Sequence, residues 1–197
     1  ATLYTNLEPC NTYGKTPPCT DLILQSGIAS VVIGMRDPNP RVAGGGIRQL
    51  KRAGVDVRVG LLGDECQVLN EAFIKHITTG IPFVTLKVAQ TLDGKIADGD
   101  GRSQWITNVL SRKHVHLLRS RHDAVLIGAN TVALDDPQLT VRLVKGRNPV
   151  RVVLDGRFSS SPRARIFSVQ HAARTLICSA SNHVRMNPGK KKALERK

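Results

Sequence analysis

"ASVVIGMRDPNPRVAGGGIRQLKRAGVDVRVGLL", Ala29–Leu62, decides the fold. It opens on a short continuous apolar run, "ASVVIGM", of the kind found in parallel strands buried on both faces. "RDPNPRVAGGG" is turn chemistry. "GGIRQLKRAG" reads as a short helix stopped at Gly54, and "VDVRVGLL" as the next strand. Strand and helix alternating in this way predict an α/β layered domain.

The pattern extends in both directions. Upstream, "ATLYTNLEP" alternates and reads as a strand. "PPCTDLILQSGI" reads as a helix with Pro18 in its first turn, Cys19, Leu22, Ile23 and Ser26 on one face, and Gly27 as its stop. Downstream, "DECQVLNEAFIKHITTG" is one helix. A boundary falls at "TTGIP", residues 78–82, and divides the chain into domains 1–80 and 81–197. "PFVTLKVAQTLDG" begins a fresh strand. "TNVLSRKHVHLLRSRH" is helical, with Thr107 or Asn108 as cap. "DAVLIGANTV" is a buried strand ending in a glycine turn, and "PVRVVLDG" and "RTLICSAS" are two more strands. The second domain is thus another α/β unit, cut off after three or four strands. Ala1 stands where a Met would open a gene product, and the first strand starts at once, so the chain reads as a fragment or a processed product.

Composition narrows the function. Hydrophobic residues make up 41% and aromatics 4% of the 197 residues, so the core is large and aliphatic. No apolar run reaches the roughly 18 residues a membrane span needs, and no signal segment opens the chain. The four cysteines are unevenly spaced, which argues for reduced thiols and a cytoplasmic setting over a disulfide scaffold. The net charge of +14 invites a nucleic-acid reading, but its distribution argues against one. Residues 1–141 hold 15 Lys+Arg against 13 Asp+Glu, whereas residues 142–197 hold 14 against 2. The basic part has only Phe158 and Phe167 as aromatics, too few for a base-stacking surface. Its end, "PGKKKALERK", reads as a solvated tail.

Cys10 and Cys19 frame the loop "LEPCNTYGKTPPC", each directly after a proline. Two thiols at a strand end and a helix start suit a zinc ion, and helix amides there would lower a thiol pKa. On spacing alone they are equally two small buried residues. Proline–cysteine, a gap and a second cysteine form the second half of the zinc deaminase signature, whose first half is His-x-Glu. With an eight-residue gap holding Gly14, Thr16, Pro17 and Pro18, and with "DPNPRVAGGGI" following, the sequence resembles the bifunctional riboflavin-biosynthesis deaminase–reductase family.

That resemblance implies roles. Cys10 and Cys19 would be two of three protein ligands to zinc, and Lys15 and Asn39 would touch a pyrimidine substrate. Thr12 stands where relatives commonly carry His. The third ligand and the proton-shuttling Glu are expected about 25 residues before Cys10, upstream of Ala1, so the chain itself is expected not to deaminate and to hold zinc weakly.

In the second half, "LKVAQTLDGKIA", "SQWIT" and "GANTVALDDPQLTVR" are individually ordinary: an Asp-Gly turn, a lone Trp suited to packing, a helix end with an Asx cap. Arg119 and Arg142 suit a phosphate through bidentate guanidinium contacts, or a plain surface role. In this order the pieces resemble the reductase half of the same family over residues 82–156, and only loosely through "RFSSSPRARIFSVQH". The resemblance implies a cytidine-deaminase-like three-layer part followed by a dihydrofolate-reductase-like part, with NADPH as cofactor. Lys87, Ser103, Arg119, Leu139 and Arg142 would contact a small phosphoribosyl pyrimidine, and Ala89, Trp105, Thr107, Thr131, Asp135 and Gly156 the cofactor or its pocket. The oligomeric state stays open, a homo-oligomer included. Rival readings are an inactive paralogue, for which Thr12 and the divergent last residues speak, and a basic nucleic-acid-binding fragment, which steep salt dependence of binding would favour.

Overall fold

The computed structural model describes residues 1–168 and 174–196. Residues 169–171, the end of "RFSSSPRARIFSVQH", lie outside the described residues. The chain forms two compact units, Ala1–Leu86 and Lys87–Lys197. No helix among the described residues is long and apolar enough to cross a membrane.

The first unit is built on a three-stranded parallel sheet in the order β1 (Thr2–Leu7), β2 (Ser30–Met35), β3 (Asp56–Val59). The continuous apolar run of β2 takes the central place between β1 and β3; Val31 and Ile33, on one face, are fully buried, and Val32 on the other is half-buried. Helices α1 (Cys19–Gln25) and α2 (Gly45–Arg52) cross between the strands and contribute Ile23, Ile47 and Leu50 to one core with Val55 and Val57. Gly54, at φ +84°, ends α2 in the left-handed conformation that glycine adopts without strain. Gly46 is required for a different reason: a Cβ there would sit 1.9 Å from the Pro9 carbonyl oxygen.

Three readings differ from the structure in this unit. In α1, Leu22 is 67% exposed and Cys19 and Ser26 are exposed as well, while Thr20 and Ile23 are buried. The helix is rotated because Thr20 donates both its N–H and its hydroxyl to the Cys10 carbonyl, which pulls Thr20 inward. Downstream, the single expected helix is two, α3 (Gly63–Leu69) and α4 (Glu71–Thr79). Asn70 breaks it: its side-chain amide donates to the Cys66 carbonyl at 2.8 Å and competes with the helical ladder. Leu61 and Leu62, read as strand, lie beyond β3.

The second unit repeats the parallel plan with β4 (Ala124–Gly128), β5 (Val150–Leu154) and β6 (Thr175–Cys178), in that order. Helix α5 (Val109–Arg121) precedes β4, and its cap is Asn108, whose side-chain oxygen accepts the Ser111 N–H. Helix α6 (Ala129–Asp135) follows β4, a 3-10 turn (Arg165–Phe167) precedes β6, and α7 (Ser181–Arg185) and α8 (Pro188–Glu195) end the chain. Val132, Leu139, Val153, Ile166 and Phe167 form the core.

Three readings are corrected in this unit. Residues 82–90, expected as a strand, form none: they enter no ladder with β4, β5 or β6, and Phe83, Val84, Leu86 and Val88 are exposed. The Asp-Gly turn that follows does form, closed by Thr91 N–H donating to the Lys95 carbonyl at 2.8 Å. Strand β4 is only half buried, because it is an edge strand whose Leu126 face is bare. The Lys-rich end is a helix, α8, with Pro188 in its first turn; Leu194 packs on the core and the Lys190 ammonium sits 4.7 Å from the Phe158 ring centroid.

Candidate active site

In the first unit Cys10 lies just past the C-terminal end of β1 and Cys19 opens α1. Cys10 Sγ accepts the Cys19 backbone N–H at 3.3 Å, so the two thiols do lie together. The expected lowering of a thiol pKa is not found for Cys19. Its thiol is pushed up, first by its hydrogen bond with the Cys10 side chain, then by burial and by the Cys10 charge. Helix α1 directs its first amide at Cys10 instead. Asn39 lies in the turn before α2, where its side-chain oxygen accepts the Arg41 N–H. Lys15 is exposed in the loop between the cysteines. Among the described residues no group of three or more His, Cys, Asp or Glu side chains is placed to hold a metal ion. Two thiols without a third donor do not make up a zinc ligand set.

Sequence reading missed the residue that organises this end. Glu8 is buried, and its carboxylate accepts three backbone N–H groups: Gly44 at 2.9 Å, Ile47 at 3.1 Å and Asp37 at 3.2 Å. It thereby ties β1 to the 37–47 turn and to the start of α2. Glu-Pro at a strand end is the only signal the sequence offers, and it does not distinguish this clamp from a surface carboxylate.

In the second unit the arginines come together. Arg119, on the last turn of α5, donates from Nη1 to the Thr140 carbonyl at 2.8 Å, and Arg142 donates from Nη1 to the Thr140 hydroxyl at 2.9 Å. Among the described residues neither guanidinium has a carboxylate within ion-pair distance. Burial lowers the pKa of both; the charge of Arg142 adds to the effect on Arg119, and that of Arg165 to the effect on Arg142. Cations crowded in this way with unused donors form a site for an anion. His116 lies one turn before Arg119 on α5, buried, with Nδ1 accepting the Arg142 backbone N–H at 2.9 Å. Burial, then Arg119 and Arg142, push it down to about 4. Leu139 turns its side chain into the core while its backbone takes φ +54° beside this cluster. Thr140, His116 and Arg165 were not anticipated; they are linked to Arg119 and Arg142 only by the fold.

Two further predicted residues meet directly: Ser103 Oγ donates to Asp135 Oδ1 at 2.7 Å. Ser103 also lines an open cleft of about 490 Å³ with Thr91, Asp93, Lys95, Arg102 and Trp105. Trp105 is 71% exposed, with the Arg112 guanidinium 4.5 Å from its ring centroid, and Arg112 also donates to the Thr107 carbonyl at 2.8 Å. Thr131 and Gly156 lie just past the C-terminal ends of β4 and β5, the edge at which parallel sheets receive ligands. Lys87 and Ala89 belong to the segment without a ladder, Lys87 exposed and Ala89 half-buried.

The model of the RibD C-terminal domain matches residues 82–188. The riboflavin biosynthesis protein RibD of Aquifex aeolicus is 48% identical over 92% of this chain and 51% of its own length. The RibD of Synechocystis is 51% identical over 90% of this chain and 48% of its own. The chain therefore spans about half the length of these curated relatives. Among solved structures, a diaminohydroxyphosphoribosylaminopyrimidine deaminase/5-amino-6-(5-phosphoribosylamino)uracil reductase from Thermotoga maritima superposes with a TM-score of 0.82 at 46% identity, covering 99% of this chain and 59% of that one. Acinetobacter baumannii RibD superposes with a TM-score of 0.79 at 35% identity, covering 98% of this chain and 60% of that one. The chain belongs to the RibD family of riboflavin biosynthesis proteins, with the RibD C-terminal domain making up its second half.

Proposed function

We propose that this chain serves riboflavin biosynthesis as part of a bifunctional enzyme that deaminates a phosphoribosylamino-pyrimidine and then reduces its ribosyl group to ribityl with NADPH. Residues 81–197 are the N-terminal part of a dihydrofolate-reductase-like reductase domain, and residues 1–80 the C-terminal part of a cytidine-deaminase-like one. The deaminase assignment is supported by the name of the Thermotoga relative and by the paired thiols. Cys10 and Cys19, with no third donor beside them among the described residues, do not complete a zinc site.

The observation that carries the reductase reading is the Arg119–Thr140–Arg142 cluster, two partly desolvated cations with no carboxylate partner among the described residues. It receives the substrate phosphate. Ser103 fixes the Asp135 carboxylate, and Asp135 with Lys87 orients the opened ribose. Trp105, Thr107, Ala89, Thr131 and Gly156 hold the dinucleotide. NADPH, when bound, supplies the hydride to C1′ of the ribose. What the protein adds is alignment and charge placement.

Replacing Arg142 with Ala in the full-length enzyme is expected to raise KM for the phosphorylated substrate about 10- to 100-fold, the value of one charge-assisted contact, with a smaller change in kcat. An unchanged KM removes Arg142 from the phosphate site.

A further inference from the structure

We propose that His116 is a positioning residue for Arg142, a neutral acceptor that fixes the arginine's backbone so that its guanidinium stays beside Arg119 and both meet one phosphate. This rests on the phosphate reading above. Its basis is geometric. Helix α5 carries His116 and Arg119 three residues apart, on one face. From that face Arg119 takes the Thr140 carbonyl and His116 takes the Arg142 N–H, at 2.8 and 2.9 Å. The 140–142 segment is thus held at two successive points by the same helix, while Arg142 reaches back to the Thr140 hydroxyl. The Leu143 N–H, at 3.5 Å, also points at Nδ1.

Two guanidinium groups near each other repel, and among the described residues no carboxylate lies within ion-pair distance of either. A backbone anchor is what keeps the second cation in place before the ligand arrives. The anchor must be an acceptor, and it must stay uncharged beside two cations. A buried imidazole does both, provided the ring proton is on Nε2 and Nδ1 is bare. The depressed His116 pKa agrees with this state near neutrality.

Binding of inorganic phosphate and of ribose 5-phosphate to the full chain, followed by phosphorus NMR, tests the assignment. His116→Phe keeps a ring but no acceptor and is expected to weaken binding about tenfold, the cost of one lost hydrogen bond. His116→Asn restores an acceptor near the Nδ1 position and is expected to bind within about twofold of wild type. Nitrogen NMR of the unaltered protein gives a reading that survives if the Phe variant fails to fold: His116 should be the Nε2–H tautomer near neutrality, and the Arg142 amide should exchange slowly. Unchanged phosphate binding by His116→Phe, equal weakening by both variants, or an Nδ1–H tautomer each overturns the proposal. Arg142→Ala separates the two readings. If it too binds phosphate like wild type, the phosphate site itself is wrong; if it weakens binding while His116→Phe does not, only the role of His116 falls.

Discussion

The two units treat their charged groups in opposite ways. At the end of β1, Glu8 is satisfied by three amides, Cys10 by the Cys19 N–H and Asn39 Oδ1 by its own turn, while the buried Asn11 Oδ1 next to Cys10 has no hydrogen-bond partner. Near β5, Arg119 and Arg142 each direct one guanidinium nitrogen at Thr140, leaving further donors for something else. The Glu8 clamp is complete as it stands. The arginine pair is held together against its own repulsion and, on the proposed reading, awaits an anion. Satisfied polar groups mark a scaffold, and cations gathered without carboxylates mark a ligand site.

The comparison breaks if the two ends respond alike to truncation. Glu8→Ala leaves three buried amides without an acceptor and is expected to cost about 3 kcal/mol or more in denaturant unfolding. Arg142→Ala, which removes half of a repelling pair, is expected to stay within about 0.5 kcal/mol of wild type in the same assay. Equal losses would refute the distinction. Gly46→Ala sharpens the scaffold side: its Cβ would meet the Pro9 carbonyl at 1.9 Å, with an expected cost of about 1–3 kcal/mol.

Acidification separates the ends further. Burial, then Arg119 and Arg142, push the folded-state pKa of His116 from its ordinary 6.5 down to about 4. Between these values only the unfolded state takes up the proton, so its contribution to stability is intact above pH 6.5, falls as pH drops to about 4, and is flat below. The wild-type minus His116→Asn difference in unfolding free energy isolates this component; a difference independent of pH would contradict it. The smallest effect belongs to the thiols. The raised pKa of Cys19 predicts slower reaction with a disulfide reagent than a model thiol shows, and Cys10→Ser, which removes the largest cause, should speed it. Zinc measured after dialysis should fall well below one ion per chain, and a value near one would show a ligand set that Cys10 and Cys19 do not supply alone.

The sequence made the layered plan legible where local signals and tertiary demands coincide. The apolar run at 31–35 reads as a buried parallel strand and is one, and Gly27 and Gly54 stop helices by a backbone rule independent of context. It failed where a partner decides the outcome. Residues 82–90 have a strand's composition but enter no ladder. Leu22 is apolar yet exposed, because Thr20 wins the turn toward Cys10. The site was legible as separate residues and not as an assembly. Ser103 and Asp135 are 32 positions apart, and His116 and Arg142 are 26, so nothing local couples them.

Trp105 is the only indole in the chain, and it stands exposed at the rim of a cleft with a guanidinium against its ring. Its emission overlaps the absorption of a reduced nicotinamide. The protein thus carries its own optical gauge: a dinucleotide settling beside that rim would quench the indole by energy transfer, so occupancy could be followed in real time without a label or turnover.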